Sequence, residues 1–143
     1  MGLPASIAAL FAICATTLVT GAMHEDGLAD TADGLWGGLT PDRRLEIMKD
    51  SHIGTYGVVA LVLSLGFRWA ALGSLIGSGT WVFPLITAAM LSRAMMPALM
   101  ATLPHARASG LSHSVGRPEM SCVWLGIGLS VLVGFFLVGA QII

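Results

Sequence analysis

Charged side chains are scarce in this sequence. Only 10% of its 143 residues are Asp, Glu, Lys or Arg, whereas 55% are hydrophobic. A soluble globular domain carries about 25% charged residues, so this composition excludes an ordinary water-facing domain. The formal net charge of -1 gives no basis for electrostatic binding of nucleic acid. The composition therefore predicts an all-α, polytopic membrane bundle, with residues 1–143 forming one transmembrane domain.

Cysteine and the common catalytic motifs are also sparse. The two cysteines, Cys14 and Cys122, both lie in long apolar runs. We expect them to be small membrane-helix residues, with a disulfide left open as the alternative. No glycine-rich phosphate loop, nucleophile elbow or zinc-ligand spacing occurs in the sequence. Polar residues at the ends of the apolar runs are therefore the main candidates for function.

Four apolar stretches are long enough to cross a bilayer, which takes about 20 residues in a helix. A signal peptide is the alternative for the first stretch, but no basic segment precedes it. Arg68 lies near the far end of the second stretch, where its side chain could reach the membrane interface. A glycine-rich turn around Gly73, Gly77 and Gly79 is expected to follow. The predicted spans cover approximately residues 5–23, 54–72, 80–103 and 121–142.

The basic residues predict the orientation of these spans. With four spans, the segment 24–53 and the loop 104–120 lie on the same side of the membrane. Five of the seven basic residues fall in these two segments: Arg43, Arg44, Lys49, Arg107 and Arg117. Because positively charged loops stay in the cytoplasm, we expect both segments to be cytoplasmic.

The string TPDRRLEIMKDS predicts a short amphipathic helix. Thr40 suits the N-cap, Pro41 the first helical position, and Asp42 the positive end of the helix dipole. Leu45 and Met48 share one face of this helix. That pattern is typical of a helix that lies on the membrane surface.

An acidic cluster follows the first apolar stretch in the string HEDGLADTADG. On a helix, Asp26, Asp30 and Asp33 would fall within roughly 60° of one another. Like charges at this spacing destabilise a helix, so a bound cation would relieve their repulsion, and a few carboxylates suit Mg²⁺. A solvated acidic loop is the alternative. The residues between the aspartates are mainly apolar, which favours an embedded helix with a magnesium site.

Other polar residues are candidates for substrate binding or catalysis. Asp50 could be a metal ligand or a general base, or it could cap the next helix together with Ser51. Arg93 lies inside an apolar run, so it should bind a substrate phosphate or pair with an aspartate. His24 and Lys49 are candidates for substrate contacts, and His24 also for metal binding. Three further histidines are expected at the surface: His52, His105 and His113.

Two strings, GAMHEDGLADTADGLWGG and RRLEIMKDSHIGTYG, carry a family resemblance. In this order and at this spacing they are very similar to the signature region of the adenosylcobinamide-GDP ribazoletransferases, also called cobalamin synthases. The later string LSRAMMPALMATLPHARASGL also resembles a segment of that family. The resemblance extends from about Thr20 to Gly116 and is specific, because both signature strings are long.

The resemblance implies a bacterial or archaeal inner-membrane enzyme that requires Mg²⁺. It would join adenosylcobinamide-GDP to α-ribazole, or to its 5′-phosphate, and release GMP. On this basis Asp26, Asp30 and Asp33 would hold Mg²⁺ against the diphosphate, with Asp33 also a catalytic candidate. Asp50 would be a further ligand or the base, and Arg93 would balance phosphate charge. The implied partners are the two substrates and the lipid bilayer, and a homo-oligomer is left open.

The sequence also departs from the family pattern. Members are usually longer and typically carry a glycine-rich TGD-type motif in a later segment, and none lies between Ser121 and Ile143. His52 stands where the family motif usually has a more basic residue. We therefore expect a truncated or short member, or a fragment. The alternative functions are a non-catalytic subunit and a divalent-cation transporter. The transporter would use the acidic stripe of Asp26, Asp30 and Asp33 as its ion path.

Overall fold

The computed structural model describes residues 2–139 of the chain. Within that range the protein is entirely helical, as predicted, with seven helices and no strand. Contacts between Cα atoms divide the chain into two compact units, Met1–Gly79 and Thr80–Ile143. The single transmembrane domain stays a prediction. The helices are α1 (Ala5–Val19), α2 (Met23–Gly37), α3 (Pro41–Ile47), α4 (Thr55–Gly77), α5 (Val82–Thr102), α6 (Leu111–Val115) and α7 (Met120–Gly139).

Three helices are long and apolar enough to cross a membrane, namely α4, α5 and α7. The pair α1 and α2 meets the same criteria only jointly, and the two helices meet at an angle of 86°. The described part of the chain therefore offers three candidate spans, or up to four if the bent pair is one broken span. This agrees with a polytopic membrane protein. Residues 140–142 of the last predicted span lie outside the described residues.

The first predicted span does not continue as one helix to residue 23. Helix α1 ends at Val19, and Gly21 adopts the left-handed conformation with φ +61°. The Ala22 N–H donates to the Thr17 carbonyl (2.8 Å), and the Gly21 N–H donates to the Leu18 carbonyl (3.1 Å). These two bonds form a Schellman motif, which closes a helix and redirects the chain. Hydropathy did not predict this break, because it depends on the left-handed backbone conformation of Gly21 and Ala22.

Helices α1 and α4 pack through small residues. A Cβ at Gly77 would lie 3.8 Å from the Ala5 side chain, and one at Gly73 would lie 3.9 Å from the Ala9 side chain. Facing pairs of small residues four apart allow helix backbones to approach closely in a membrane protein. The prediction that Gly73 and Gly77 form a turn is therefore wrong. Both lie inside α4, and the turn comes at Gly79, where φ is +74°.

Helix α3 forms as predicted and packs against the end of α2. Thr40 is its N-cap and accepts a hydrogen bond from the backbone three residues later (3.3 Å), and Pro41 opens the helix. The Met48 side chain occupies space that a Cβ at Gly34 would fill. Arg44 Nε donates to the carbonyl of the C-cap residue of α2 (2.9 Å). These contacts hold α3 beside α2.

In the second unit, α5 and α7 form the main helix contact. The absence of a side chain at Gly134 gives room to Thr87, whose Cγ2 would lie 2.8 Å from a Cβ there. The Ser130 hydroxyl donates to the carbonyl four residues earlier in α7 (2.8 Å), so its polar group is satisfied within the helix. In the segment that connects α5 to α7, the rings of His105 and His113 lie 5.2 Å apart.

Candidate functional site

A buried carboxylate joins α2 to the start of α4. Asp33 is only 8% exposed. Its Oδ2 accepts the N–H of Gly54 (2.7 Å), and its Oδ1 accepts the N–H of Gly57 (2.9 Å). Gly54 is the N-cap of α4 and Gly57 its third residue, so two of the four N–H groups that lack helical partners are satisfied. Asp33 therefore caps α4 from a different helix.

The two glycines are needed for space. A Cβ at either Gly54 or Gly57 would overlap the Asp33 carboxylate, and one at Gly57 would also lie 3.1 Å from the Ala29 carbonyl oxygen. In the sequence, this requirement appears as the two glycines of the motif GTYG at the start of α4. Sequence reasoning missed it, because the partner carboxylate lies more than 20 residues earlier.

Asp26 and Asp30 lie on the side of α2 between its contacts with α4 and α3. Each helical residue turns the side-chain direction by about 100°. Taking Ala29, which meets α4, as the origin, Asp26 and Asp30 point at about 60° and 100°, and Gly34, which meets α3, at about 140°. Asp26 is exposed and Asp30 half-buried. The predicted acidic stripe is thus present on a helix, with Asp33 at its C-terminal end.

An open cavity of about 340 Å³ lies where α2, α3 and α4 come together. Its wall includes Asp33, Asp50, His52, Thr55 and Tyr56. The backbone N–H groups of Thr55 and Tyr56 are the two in the first turn of α4 that Asp33 does not accept. Such N–H groups favour an anion. The cavity therefore combines proton-accepting side chains with a helix N-terminus suited to negative charge.

Asp50 and His52 form a pair in this cavity wall. His52 Nδ1 lies 2.7 Å from Asp50 Oδ1. This hydrogen bond lowers the pKa of Asp50 below its ordinary value, and it raises the pKa of His52. The interpretation of Asp50 and Ser51 as the cap of α4 is wrong, because Gly54 is the N-cap and Asp33 supplies the acceptor. His52 lies at the surface, as expected, with its side chain 86% exposed. Its contact with Asp50 was not predicted, although the spacing of two residues was the available signal.

A second polar contact joins α2 to α4 near the middle of α4. Arg68 Nη1 lies 2.8 Å from Glu25 Oε1, and the Glu25 side chain is only 12% exposed. The expectation that Arg68 reaches the membrane interface stays a prediction, and the structure adds that its guanidinium pairs with this carboxylate. Sequence reasoning did not single out Glu25, since nothing in the local pattern relates it to a residue 43 positions later.

The remaining predicted substrate-binding residues lie on different elements of the chain. His24 is exposed in the first turn of α2, and Lys49 is exposed just after α3. Arg93 is exposed on α5 in the second unit, where its Nη1 donates to the Ala89 carbonyl (3.2 Å). Its role in phosphate binding stays a prediction, as do those of His24 and Lys49.

The carboxylates of α2 fit a magnesium ion in part. Among residues 2–139, no three His, Cys, Asp or Glu side chains gather as a ligand set. Asp26 and Asp30 lie one helical turn apart on the same side of α2. Mg²⁺ usually takes one or two carboxylates and completes its shell with water and substrate phosphates, so this pair fits. Asp33 fits less well, because both of its oxygens already accept N–H groups.

Comparisons with known proteins confirm the family resemblance. The sequence model of the cobalamin-5-phosphate synthase family matches residues 1–143. An adenosylcobinamide-GDP ribazoletransferase from Bradyrhizobium diazoefficiens is 50% identical over 133 residues, which are 93% of this chain and 51% of that protein. One of the same name from Brucella canis is 45% identical over 148 residues, covering 99% of this chain and 57% of that protein. The chain thus spans about half the length of these relatives. No solved structure matches the chain.

Proposed function

The chain belongs to the cobalamin-5-phosphate synthase family, and on that premise we propose that it provides the membrane site where adenosylcobinamide-GDP is joined to α-ribazole or its 5′-phosphate. The observation that carries the proposal is the acidic stripe of α2, held against α4 beside an open cavity. The relatives named adenosylcobinamide-GDP ribazoletransferase are 45–50% identical in sequence to this chain. Their name gives the substrates.

The proposed reaction is a phosphoryl transfer. A ribose hydroxyl of the acceptor attacks the phosphorus nearer the cobinamide, and a new P–O bond forms. The bond from that phosphorus to the bridging oxygen breaks, and GMP leaves with the bridging oxygen. The hydroxyl proton passes to a base. Such transfers depend mainly on positioning the reactants and on stabilising phosphate charge.

The acidic stripe supplies the metal-binding part of this proposal. Asp26 and Asp30 would hold Mg²⁺, which when bound would neutralise charge on the diphosphate. Arg93, His24 and Lys49 are the proposed cationic or hydrogen-bonding contacts to substrate.

The cavity supplies the proton acceptor. Asp50 and His52 are within hydrogen-bond distance of each other in its wall. The hydrogen bond lowers the pKa of Asp50 and raises that of His52, so His52 is the stronger base of the pair and the proposed proton acceptor. Asp50 then orients the imidazole, as a carboxylate does for a catalytic histidine.

The membrane setting follows from the same residues. Most of the basic side chains lie in the segments 24–53 and 104–120. The positive-inside rule supports a cytoplasmic location for the acidic helix α2 and the cavity, and the family resemblance supports the inner membrane. Both nucleotide substrates would reach the site from the cytoplasm.

The proposal is tested by measuring Mg²⁺-dependent GMP release by the detergent-purified chain from adenosylcobinamide-GDP and α-ribazole 5′-phosphate. We expect Asp30→Asn to lower the rate by at least about a hundredfold, since it removes a metal ligand. Asp42→Asn, on the exposed first turn of α3, is the matched control and should keep the wild-type rate. Full activity of the Asp30 variant, or Mg²⁺ flux into proteoliposomes without GMP release, would contradict the proposal.

A further inference from the structure

We propose that Asp33 is a positioning residue of this site and not one of its metal ligands. Its buried carboxylate fixes the first turn of α4 against α2, and so sets the place of the cavity wall relative to Asp26 and Asp30. The catalytic part of this inference rests on the proposed function. The contact itself does not.

The electrostatics of the contact favour an anion without a metal. Asp33 accepts the N–H groups of Gly54 and Gly57 at 2.7 and 2.9 Å. The N-terminus of a helix carries partial positive charge, which stabilises a carboxylate and repels a cation. A divalent ion at Asp33 would stand next to that positive end. The carboxylate therefore already has its counter-charge, and it comes from the backbone of α4.

The space around Asp33 leads to the same assignment. The side chain is buried, and the backbones of Gly54 and Gly57 lie so close that neither position could carry a Cβ. Mg²⁺ requires an octahedral shell, and an ion at Asp33 would have to share both carboxylate oxygens with the N–H groups of Gly54 and Gly57. Asp30 and Asp26 lie about 4.5 and 10.5 Å further along the axis of α2, at 1.5 Å per residue. They are away from the first turn of α4 and more exposed than Asp33.

The contact has a clear structural consequence. The cavity wall contains Asp33 itself, the loop residues Asp50 and His52, and the first-turn residues Thr55 and Tyr56. Because Asp33 binds the N-cap and the third residue of α4, it determines where the first turn lies. A shift of that turn would move the proton acceptor relative to the α2 carboxylates, and small misplacements of reacting groups lower catalytic rates strongly.

Amide hydrogen exchange in the wild-type protein tests the contact without any variant. We expect the N–H groups of Gly54 and Gly57 to exchange at least about tenfold more slowly than those of Thr55 and Tyr56, because only the glycines donate to Asp33. The difference should be the same with and without Mg²⁺. Equal exchange of the four groups would overturn the proposal, and so would a change of more than about threefold in the glycine rates on adding Mg²⁺, since the ion would then be acting on their acceptor.

Two matched variants separate positioning from metal binding, with Mn²⁺ as the probe and electron paramagnetic resonance as the assay. Asp26→Asn should lower Mn²⁺ affinity by about tenfold or more and leave the glycine exchange rates unchanged. Asp33→Asn should keep Mn²⁺ affinity within about threefold and speed exchange at Gly54 and Gly57, because a neutral amide is a weaker acceptor. Equal loss of Mn²⁺ affinity in both variants, with slow glycine exchange retained, would show that Asp33 is a ligand. If Asp33→Asn does not fold, the comparison of amide exchange rates in the wild-type protein still tests the proposal.

Steady-state kinetics test the consequence for catalysis. A positioning role predicts that Asp33→Asn lowers kcat for GMP release by at least about tenfold while KM for adenosylcobinamide-GDP changes less than about threefold. An unchanged kcat would remove the catalytic part of the inference. If the wild-type chain releases no GMP, the proposed function fails, whereas the exchange and Mn²⁺ results still test the assignment of Asp33.

Discussion

Gly57→Ala should destabilise the first unit, although alanine normally favours a helix. A Cβ at position 57 would overlap the Asp33 carboxylate and approach the Ala29 carbonyl oxygen to 3.1 Å. The carboxylate must move, which weakens two hydrogen bonds to a charged acceptor, each contributing about 1.5–3 kcal/mol. Better helix propensity returns about 1 kcal/mol. We expect a net loss of about 2–5 kcal/mol in the free energy of unfolding.

The assay is reversible unfolding in mixed micelles with increasing SDS, followed by circular dichroism. Gly66→Ala is the matched control, because it lies in the same helix and a Cβ there meets nothing within 4 Å. The control should be neutral or stabilise by up to about 1 kcal/mol. The same midpoint for the Gly57 variant and the Gly66 control would refute the reasoning, since it would mean that Asp33 does not need the space at Gly57.

Three further predictions follow from contacts in the first unit. Arg68→Gln should lower the free energy of unfolding by about 1–3 kcal/mol, because it leaves the Glu25 carboxylate without its ion-pair partner. In the same SDS assay, the double variant with Glu25→Gln should lose less free energy of unfolding than the sum of the two single-variant losses. An additive loss would contradict the pairing. Asp50→Asn should lower the pKa of His52 toward its ordinary value in an NMR titration, and an unchanged midpoint would exclude the contact. The Asp50–His52 pair stabilises the folded protein while Asp50 is ionised and His52 is protonated. This contribution is lost as the pH falls through the folded pKa of Asp50, and also as the pH rises through the folded pKa of His52. Trp69→Phe should cost about 1 kcal/mol, since Nε1 donates to a carbonyl in the first turn of α1 at 2.7 Å, and no change in the SDS midpoint would argue against that bond.

Local signals in the sequence predicted most of the helical elements. Long apolar runs predicted the three helices α4, α5 and α7, because a span needs only length and hydrophobicity. Thr40 and Pro41 predicted the start of α3, because capping depends on residues within one turn. The break after Val19 was missed, since the left-handed conformation of Gly21 and Ala22 leaves no mark on hydropathy.

The candidate site was predicted only as a set of residues. The stripe of Asp26, Asp30 and Asp33 follows from helical periodicity, and α2 confirms it. The difference between Asp33 and the other two aspartates was not predictable, because it comes from Gly54 and Gly57 on another helix. Periodicity places side chains on a face but gives no information on what that face meets.

The sequence by itself determined that this protein is an all-helical membrane protein, and its signature strings determined the family. Composition and period suffice for the first conclusion, because the bilayer imposes the same hydrophobic requirement on every span. Only the tertiary structure decided which carboxylate caps a helix, which one pairs with Arg68, and which glycines are packing positions. Each of these depends on contacts between different helices, and such contacts form only when the helices pack.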